Sequence, residues 1–228
     1  MDKLSNRQET FLTLWGPVLE SWHPLHIRYP KGELIYQAGG YAAGVYLISG
    51  GVVSEVIPNQ KRRKYPPVEI LGPGDILGVE VFLGNEEEIH LCQTRAITDT
   101  EVFFFERKEF LNLLEGEDEL YHYCLHCLSD RFFKAREWGY MHCSSSIDER
   151  VCRIILDLAE KDGETQDNGR VIIPPAIRQT ILSRLLGISG SKVNRAMSSL
   201  PKLSSSERGI EVFPEELRLW LTAKVKPS

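Results

Sequence analysis

The chain has 228 residues, a net charge of −5 at pH 7 and 42% hydrophobic residues, ordinary figures for a soluble globular protein long enough to build two cores. It holds no run of about 18 apolar residues, which excludes a transmembrane helix, and the opening Met1-Asp-Lys-Leu-Ser-Asn-Arg lacks the apolar centre of a signal peptide. A cytoplasmic protein with no membrane partner is expected. The five cysteines are odd in number and sparse, so reduced thiols are expected rather than a disulfide scaffold.

Residues 4–22 have helical spacing (Leu4, Phe11, Leu14, Trp15, Val18, Leu19) and stop near Pro24. From about 26 to 106 the texture changes to short apolar runs, with strands expected at 27–29, 33–36, 44–48, 52–57, 68–71, 91–97 and 101–105. Pro30-Lys-Gly32, Gly39-Gly40, Ser49-Gly-Gly51, Pro58-Asn59 and Gly72-Pro-Gly74 punctuate them. Strands of this length and spacing predict an antiparallel barrel or sandwich. Lys61-Arg-Arg-Lys64 reads as a solvated hairpin tip, with a secondary contact to DNA or RNA polymerase as the alternative. His90 and Cys92, two apart on one expected strand, should share a face.

Residues 107–142 read as helical, with a break near Gly116. Within them Tyr121, Leu125, Leu128, Phe132, Ala135 and Gly139 alternate by four and three, a heptad seam that needs a partner: the chain's own barrel or a second subunit. Cys124-Leu-His126-Cys127, with His122 nearby, invites a metal or redox reading. A structural zinc site needs four convergent ligands, whereas the two histidines and the two cysteines project differently from one helix. Thiols packed as small hydrophobes are therefore expected. Phe103–Phe105 and Trp138 read as core and seam.

Ser144–Ser146 is the expected hinge. Ser146-Ile-Asp-Glu149 is a capping box that opens a helix running to about Lys161. A polar linker (162–169), a short strand (171–173) and Pro174-Pro175 follow. Then comes Ile181-Leu-Ser183-Arg-Leu-Leu-Gly187-Ile-Ser189-Gly-Ser-Lys-Val193-Asn-Arg195-Ala-Met197. A small residue, a glycine four on and a β-branched residue six further have the spacing of a helix-turn-helix. Gly187 takes the positive-φ turn, while Val193 and Met197 face the first helix. Ser189, Gly190, Ser191, Lys192 and Arg195 are left outward, as a helix reading a major groove requires. Arg195 suits guanine, to which arginine donates two hydrogen bonds. Lys192 suits phosphate. Thr180 and Ser189, at the two helix starts, can cap the helix or bond a phosphate. A serine-rich loop (204–206) and Ile210-Glu-Val-Phe213 then look like a small β wing, and Pro214-Glu-Glu opens a last helix.

Charge divides the same way. Residues 1–146 carry 14 basic and 21 acidic side chains, a net of −7, while residues 147–228 carry 13 and 11, a net of +2. Between 174 and 208, Arg178, Arg184, Lys192, Arg195, Lys202 and Arg208 stand against Glu207 alone. A basic patch on an acidic protein remains a workable DNA footprint.

Barrel, long helix, hinge and winged helix-turn-helix, in this order, resemble the CRP/FNR family of bacterial transcription regulators. Pro30-Lys-Gly-Glu33, Gly39 and Val45-Tyr-Leu-Ile-Ser-Gly-Gly-Val52 look like the first half of a cyclic-nucleotide-binding-type domain, and Leu71-Gly-Pro-Gly-Asp75-Ile-Leu-Gly78 like its central turn. The resemblance implies an α+β chain: an N-terminal jelly-roll barrel domain that senses an effector (1–116), a long dimerisation helix (117–143) and a winged helix-turn-helix domain (144–228). It further implies a homodimer on an inverted repeat of double-stranded DNA, RNA polymerase as a further partner, and no enzymatic role.

The departures bear on the effector. Members that bind cAMP place a glutamate after the central glycine Gly78, where this chain has Val79. They place an Arg-Ser pair for the phosphate where His90 and Leu91 fall, and small hydroxyl residues on the long helix where Ala135 and Arg136 fall. A buried phosphate needs a charge-assisted, bidentate partner, so cAMP is not the expected effector. The expected pocket is Gly78, Val79, His90, Leu91, Cys92, Ala135 and Arg136, and its small molecule is unidentified. Gly78-Val-Glu80-Val-Phe-Leu-Gly84 looks more like the branch of the family that does not bind nucleotides. No cysteine precedes Cys92, which argues against the N-terminal iron–sulfur cluster of FNR-type members. Two alternatives remain: a cupin-like metal-binding barrel enzyme, for which only His26 and His90 lie on expected strands, and a haem or thiol redox sensor on the same scaffold.

Overall fold

In the computed structural model the described residues are 3–57, 69–83, 89–177 and 179–224, without the side chains of 3–10, 12, 83, 138 and 140–144. The basic run Lys61–Lys64, Pro58-Asn59, Gly84, Arg178 and the side chains of Leu4 and Trp138 lie outside them. The chain is α+β and divides into two compact units, the first built from the described residues up to 57 and from 71–137, the second from residues 138–224 together with Glu69 and Ile70.

α1 (Lys3–Trp22) leads into eight strands, all but the first two residues of β5 within the first unit: β1 (Leu25–Tyr29), β2 (Leu34–Tyr36), β3 (Gly44–Gly50), β4 (Val53–Val56), β5 (Glu69–Leu71), β6 (Ile76–Leu77), β7 (Gln93–Ala96) and β8 (Thr100–Glu106). They form two four-stranded sheets, ordered β1-β8-β3-β6 and β2-β7-β4-β5, in an open jelly-roll-like arrangement. Ile35, Tyr36, Ile48, Val53, Leu71, Leu77 and Val102 pack together from both sheets. A second cluster joins β3 and β8 to the helices through Trp15, Phe105, Phe110, Leu113 and Leu120, with the Trp15 ring stacked on Phe110 at 6.4 Å. Complete burial of such apolar side chains contributes roughly 1.5–3 kcal/mol each.

Two details differ from the expected strands. β6 is a strand of two residues, too short to show a period. β7 begins at Gln93, after a bend at 91–92, so His90 and Cys92 do not share a strand face. The central turn behaves as its glycines require. Gly78 has φ +75, and a Cβ there would lie 2.5 Å from the Gly44 carbonyl oxygen, so glycine alone lets the chain leave β6 beside β3.

The helical stretch breaks where Gly116 stands, into α2 (Arg107–Gly116) and α3 (Asp118–Ser144). Through Glu137, α3 presents two adjacent heptad rows. Leu120 and Cys124 are buried, and Tyr123 Oη donates to the Gly74 carbonyl at 2.6 Å. The neighbouring row, Tyr121, Leu125 and Phe132, is exposed, with Leu128 half-buried and Ala135 and Gly139 exposed. The expected seam is therefore not spent on the chain's own barrel.

The second unit contains α4 (Ile147–Asp162), β9 (Glu164–Thr165), β10 (Val171–Ile173), α5 (Gln179–Leu186), α6 (Gly190–Ser199), β11 (Ser204–Ser206), β12 (Gly209–Val212) and α7 (Pro214–Lys224). Ser146 caps α4 as expected: its Oγ accepts from the Glu149 N–H at 3.3 Å and donates to Glu149 Oε1 at 3.1 Å. The four strands form one antiparallel sheet, ordered β11-β12-β10-β9. β9 lies in the expected linker, and β11 is the expected serine loop. Both are polar and exposed, so no apolar alternation marks them, and their ladder partners hold them instead. Gly209, φ +130, makes the turn into β12, where a Cβ would come within 1.9 Å of the Ile173 carbonyl oxygen.

Asp162 ends α4, where a carboxylate faces the negative pole of the helix. Burial pushes its carboxyl up from 3.8 to about 6. A raised folded value means the native state holds a proton that the unfolded chain has lost, so the penalty appears as pH rises from about 4 and is complete above about 6. Asp162→Asn is expected to stabilise the second unit by about 1 kcal/mol at pH 7.5, since solvent screens this partly exposed group, and to change nothing near pH 3.5. Denaturant titrations at the two pH values check this, and a gain of equal size at both would contradict it.

Candidate nucleic-acid interface and barrel interior

α5 and α6 meet through Leu182, Leu185, Leu186, Val193, Ala196 and Met197, all buried. Gly187 stands between them at φ +64. Ser183 does more than leave room, since its hydroxyl donates to the Ile188 carbonyl and the Ile188 N–H returns to the Ser183 carbonyl at 3.2 Å. The turn is stapled at both ends. At the far end of α6, Ser199 Oγ donates to Asp148 Oδ2 of α4 at 3.0 Å.

Each helical residue turns about 100°, so burial of Val193, Ala196 and Met197 fixes what points away. Ser191, Asn194, Arg195 and Ser198 lie on the outward face, and all are exposed. Lys192 is exposed at its flank. Neither Lys192 nor Arg195 forms an ion pair with a described residue, whereas Lys202 is paired with Glu216 and Arg170 with Glu211 at 3.0 Å. Gly190 is half-buried at the first position of α6. Ser189 precedes it, but its hydroxyl makes no cap bond and lies 3.1 Å from Ser191 Oγ. Thr180 is the second residue of α5 rather than its cap, and is exposed. The capping alternative for these two hydroxyls is thereby corrected.

Asn194 is absent from the expected readers. Its amide makes no hydrogen bond to a described residue and projects beside Arg195. The signal was available in the spacing, because Asn194 is three residues after Ser191 and shares its face.

The barrel interior holds a polar cluster that the sequence reading missed in part. Glu55 on β4 is 3% exposed. Its carboxylate accepts from Tyr36 Oη at 2.6 Å, from Thr94 Oγ1 at 3.2 Å and from Arg131 of α3. The Arg131 guanidinium also donates to the Ile76 carbonyl at 2.9 Å. Tyr36 Oη accepts from the Gly78 N–H at 3.3 Å. Burial, with the Glu55 charge, pushes its phenol well above the usual tyrosine range, so it remains a donor.

His90, 2% exposed, stacks on Tyr36 with ring centroids 3.7 Å apart. Its Nδ1 lies 3.7 Å from Glu80 Oε2, and neither atom has a hydrogen-bond partner. Glu80 Oε1 accepts from the Leu91 N–H at 2.9 Å. Burial alone would raise the Glu80 carboxyl, but His90 and the backbone N–H groups of Glu80 and Leu91 outweigh it and hold it below the usual range.

Of the expected pocket residues, then, Gly78 and His90 meet at this cluster. Val79 packs on the α1 side of the sheet, and the side chain after it, Glu80, points inward. The Leu91 side chain is exposed, so only its backbone takes part. Ala135 and Arg136 are exposed, and Arg136 lies over the Phe132 ring at 5.7 Å. The α3 residue that enters the barrel is Arg131, one helical turn earlier. A charged residue amid a seam reads as solvated from sequence, which is why it was missed.

The other motifs take plain places. Cys124 is buried and its thiol is pushed up to about 12 by burial, with Cys127 adding. It is a poor thiolate. His122 and His126 are exposed, and His126 faces Asp130 at 3.8 Å. His26 pairs with Glu101 at 3.3 Å and stacks on Phe103, away from His90. Among the described residues no three His, Cys, Asp or Glu side chains converge as metal ligands, and no helix is long and apolar enough to cross a membrane.

Residues 26–117 match the cyclic nucleotide-binding domain family. No curated protein sequence matches the chain. Among solved structures, it is similar to FixK2 from Bradyrhizobium japonicum, with 19% identity over 86% of this chain and 96% of that one and a TM-score of 0.70. It is similar to the c-di-GMP responsive global regulator CLP of Xanthomonas campestris, with 17% identity over 92% and 99% and a TM-score of 0.66. It is also similar to a CRP/FNR family transcriptional regulator from Thermus thermophilus, with 16% identity over 87% and 98% and a TM-score of 0.66.

Proposed function

We propose that this chain, which has the fold of CRP/FNR-type regulators, is a cytoplasmic, homodimeric, sequence-specific DNA-binding transcription regulator. The observation that carries the reading is the outward face of α6. Ser191 and Arg195 are exposed at the centre of that face, Asn194 and Lys192 on either side of it, and neither cation is ion-paired with a described neighbour. Arg195 is assigned to guanine, Asn194 to an adjacent adenine through its amide, and Lys192, Ser189 and Thr180 to phosphates.

Residues 1–116 carry the regulatory barrel. Residues 117–143 pair two chains through the exposed seam, and 144–228 bind DNA, with Ser144–Ser146 as the hinge. Cyclic AMP is not the proposed effector: Val79 offers no partner to a ribose, and the Leu91 N–H, at a position the resemblance gives to a phosphate, already donates to the Glu80 carboxylate.

Footprinting across DNA flanking the gene, at several salt concentrations, tests this. Protection of an inverted repeat is expected, with half-site centres about 10 base pairs apart and affinity falling steeply with salt. Binding without sequence selectivity at every salt concentration would overturn it.

A further inference from the structure

The seam-bearing helix is fastened to the barrel by groups of the chain itself. Tyr123 and Arg131, eight residues apart on α3, hold two carbonyls of one turn, Gly74 at 2.6 Å and Ile76 at 2.9 Å. Arg131 then continues to Glu55 in the interior. The Glu55 carboxylate has three donors, Tyr36, Thr94 and Arg131, so it is a satisfied buried anion and not a vacancy awaiting a cation. A few residues away, the Glu80 carboxylate accepts the Leu91 N–H and faces His90. Those are the two positions that the resemblance assigns to a ligand phosphate. The backbone donor that an anionic effector would take, and a link from the barrel interior to α3, are thus supplied by the chain itself.

We propose that Arg131 and Glu55 form a built-in latch that holds α3 on the barrel without any small molecule, while Glu80 stands in for a bound anion at Leu91. The DNA-competent arrangement of α3 then needs no effector, in place of the small molecule that the resemblance implies. Signals would act by opening the latch rather than by closing it. This last step rests on the DNA-binding reading, whereas the latch itself does not.

The geometry makes the pair conditional on both members. Glu55→Gln turns an amide towards the guanidinium, and Arg131→Gln leaves Glu55 with two neutral donors. Either change strands a buried charge. Because each removes the same contact, the two should not add.

The test uses the full-length dialysed protein, shown free of bound ligand by native mass spectrometry. Backbone hydrogen exchange along residues 118–137 and operator affinity are read in parallel. E55Q and R131Q are each expected to speed exchange of α3 at least about tenfold, with the double variant no faster than the quicker single one. Millimolar 3′,5′-cyclic AMP, cyclic GMP or cyclic di-GMP should leave the wild type unchanged in both readouts. Arg131→Lys keeps the charge but cannot span Ile76 and Glu55 together, so it should give an intermediate exchange rate, and it serves if either glutamine variant fails to fold. Unchanged exchange in the variants, additive singles, or a tenfold response of the wild type to any of the three nucleotides would overturn the latch. A ligand-free wild type that ignores DNA while its α3 responds as described would overturn the effector-free competence and leave the latch standing; a wild type that shows no sequence-selective binding with cell extract added either would sink the regulator reading itself.

Discussion

Replacing Arg195 with alanine is expected to abolish discrimination at one G·C pair in each half-site while leaving the fold intact. Arg195 is exposed and has no ion-pair partner among the described residues, so its removal strands nothing in the free protein. Surface changes of this kind usually stay within about 0.5 kcal/mol of stability. On DNA the loss is the bidentate contact itself, about 1–3 kcal/mol per half-site. A two-fold symmetric complex loses it twice.

Lys192→Ala serves as the contrast, because Lys192 sits at the flank of the outward face. It should weaken operator and random DNA alike and lower the salt slope by about one per subunit. Asn194→Ala should relax preference at a neighbouring A·T pair only. Competition binding against operators mutated base by base separates the three. If Arg195→Ala weakens every sequence equally, Arg195 is a phosphate contact, and the assignment of the reading face is wrong.

The elements legible in the sequence are those whose burial sets a period. Leu182, Leu185, Val193 and Met197 repeat at helical spacing because each faces one core, and Gly187 marks the turn because only the left-handed backbone closes it. Ser146 and Glu149 announce a helix start by chemistry local to four residues. β9, β11 and β6 escaped because their stability lies in ladder hydrogen bonds to strands distant in sequence, and two or three residues carry no period.

The barrel interior was half legible for a related reason. Gly78 and His90 were expected there, but Glu55, Glu80 and Arg131 are charged residues that a linear reading assigns to solvent. Glu55 and Glu80 are buried, and Arg131 half-buried, only because a partner from another element meets each: Tyr36 and Thr94 for Glu55, the Leu91 N–H for Glu80, Ile76 and Glu55 for Arg131. Burial of a charge is a property of the pair, and no single position encodes it. Ala135 and Arg136, expected at the pocket, are exposed on the single chain. Counting along a helix gives spacing but not azimuth, and the azimuth was set by Leu120 and Cys124 on the neighbouring row.

That azimuth also directs the other large effect. Two adjacent rows on α3 do different work: Leu120 and Cys124 seal the chain's own core, while Phe132, 58% exposed, and Leu125, 44% exposed, face away from it. The double substitution Leu125→Glu, Phe132→Glu therefore costs the isolated chain little, yet places four like charges across a two-fold seam. The protein should become monomeric by light scattering at concentrations where the wild type is a dimer, with unchanged far-ultraviolet circular dichroism. Its operator affinity should fall by about 10² to 10⁴, the factor lost when two linked half-site contacts become independent. Affinity for a single half-site should hardly change, since α6 is untouched. Leu120→Glu, one position from the seam row, should instead unfold the first unit, because that side chain is buried at 2% exposure. A Leu125→Glu, Phe132→Glu protein that remains dimeric and binds the full operator at wild-type strength would move the subunit contact off this row of α3.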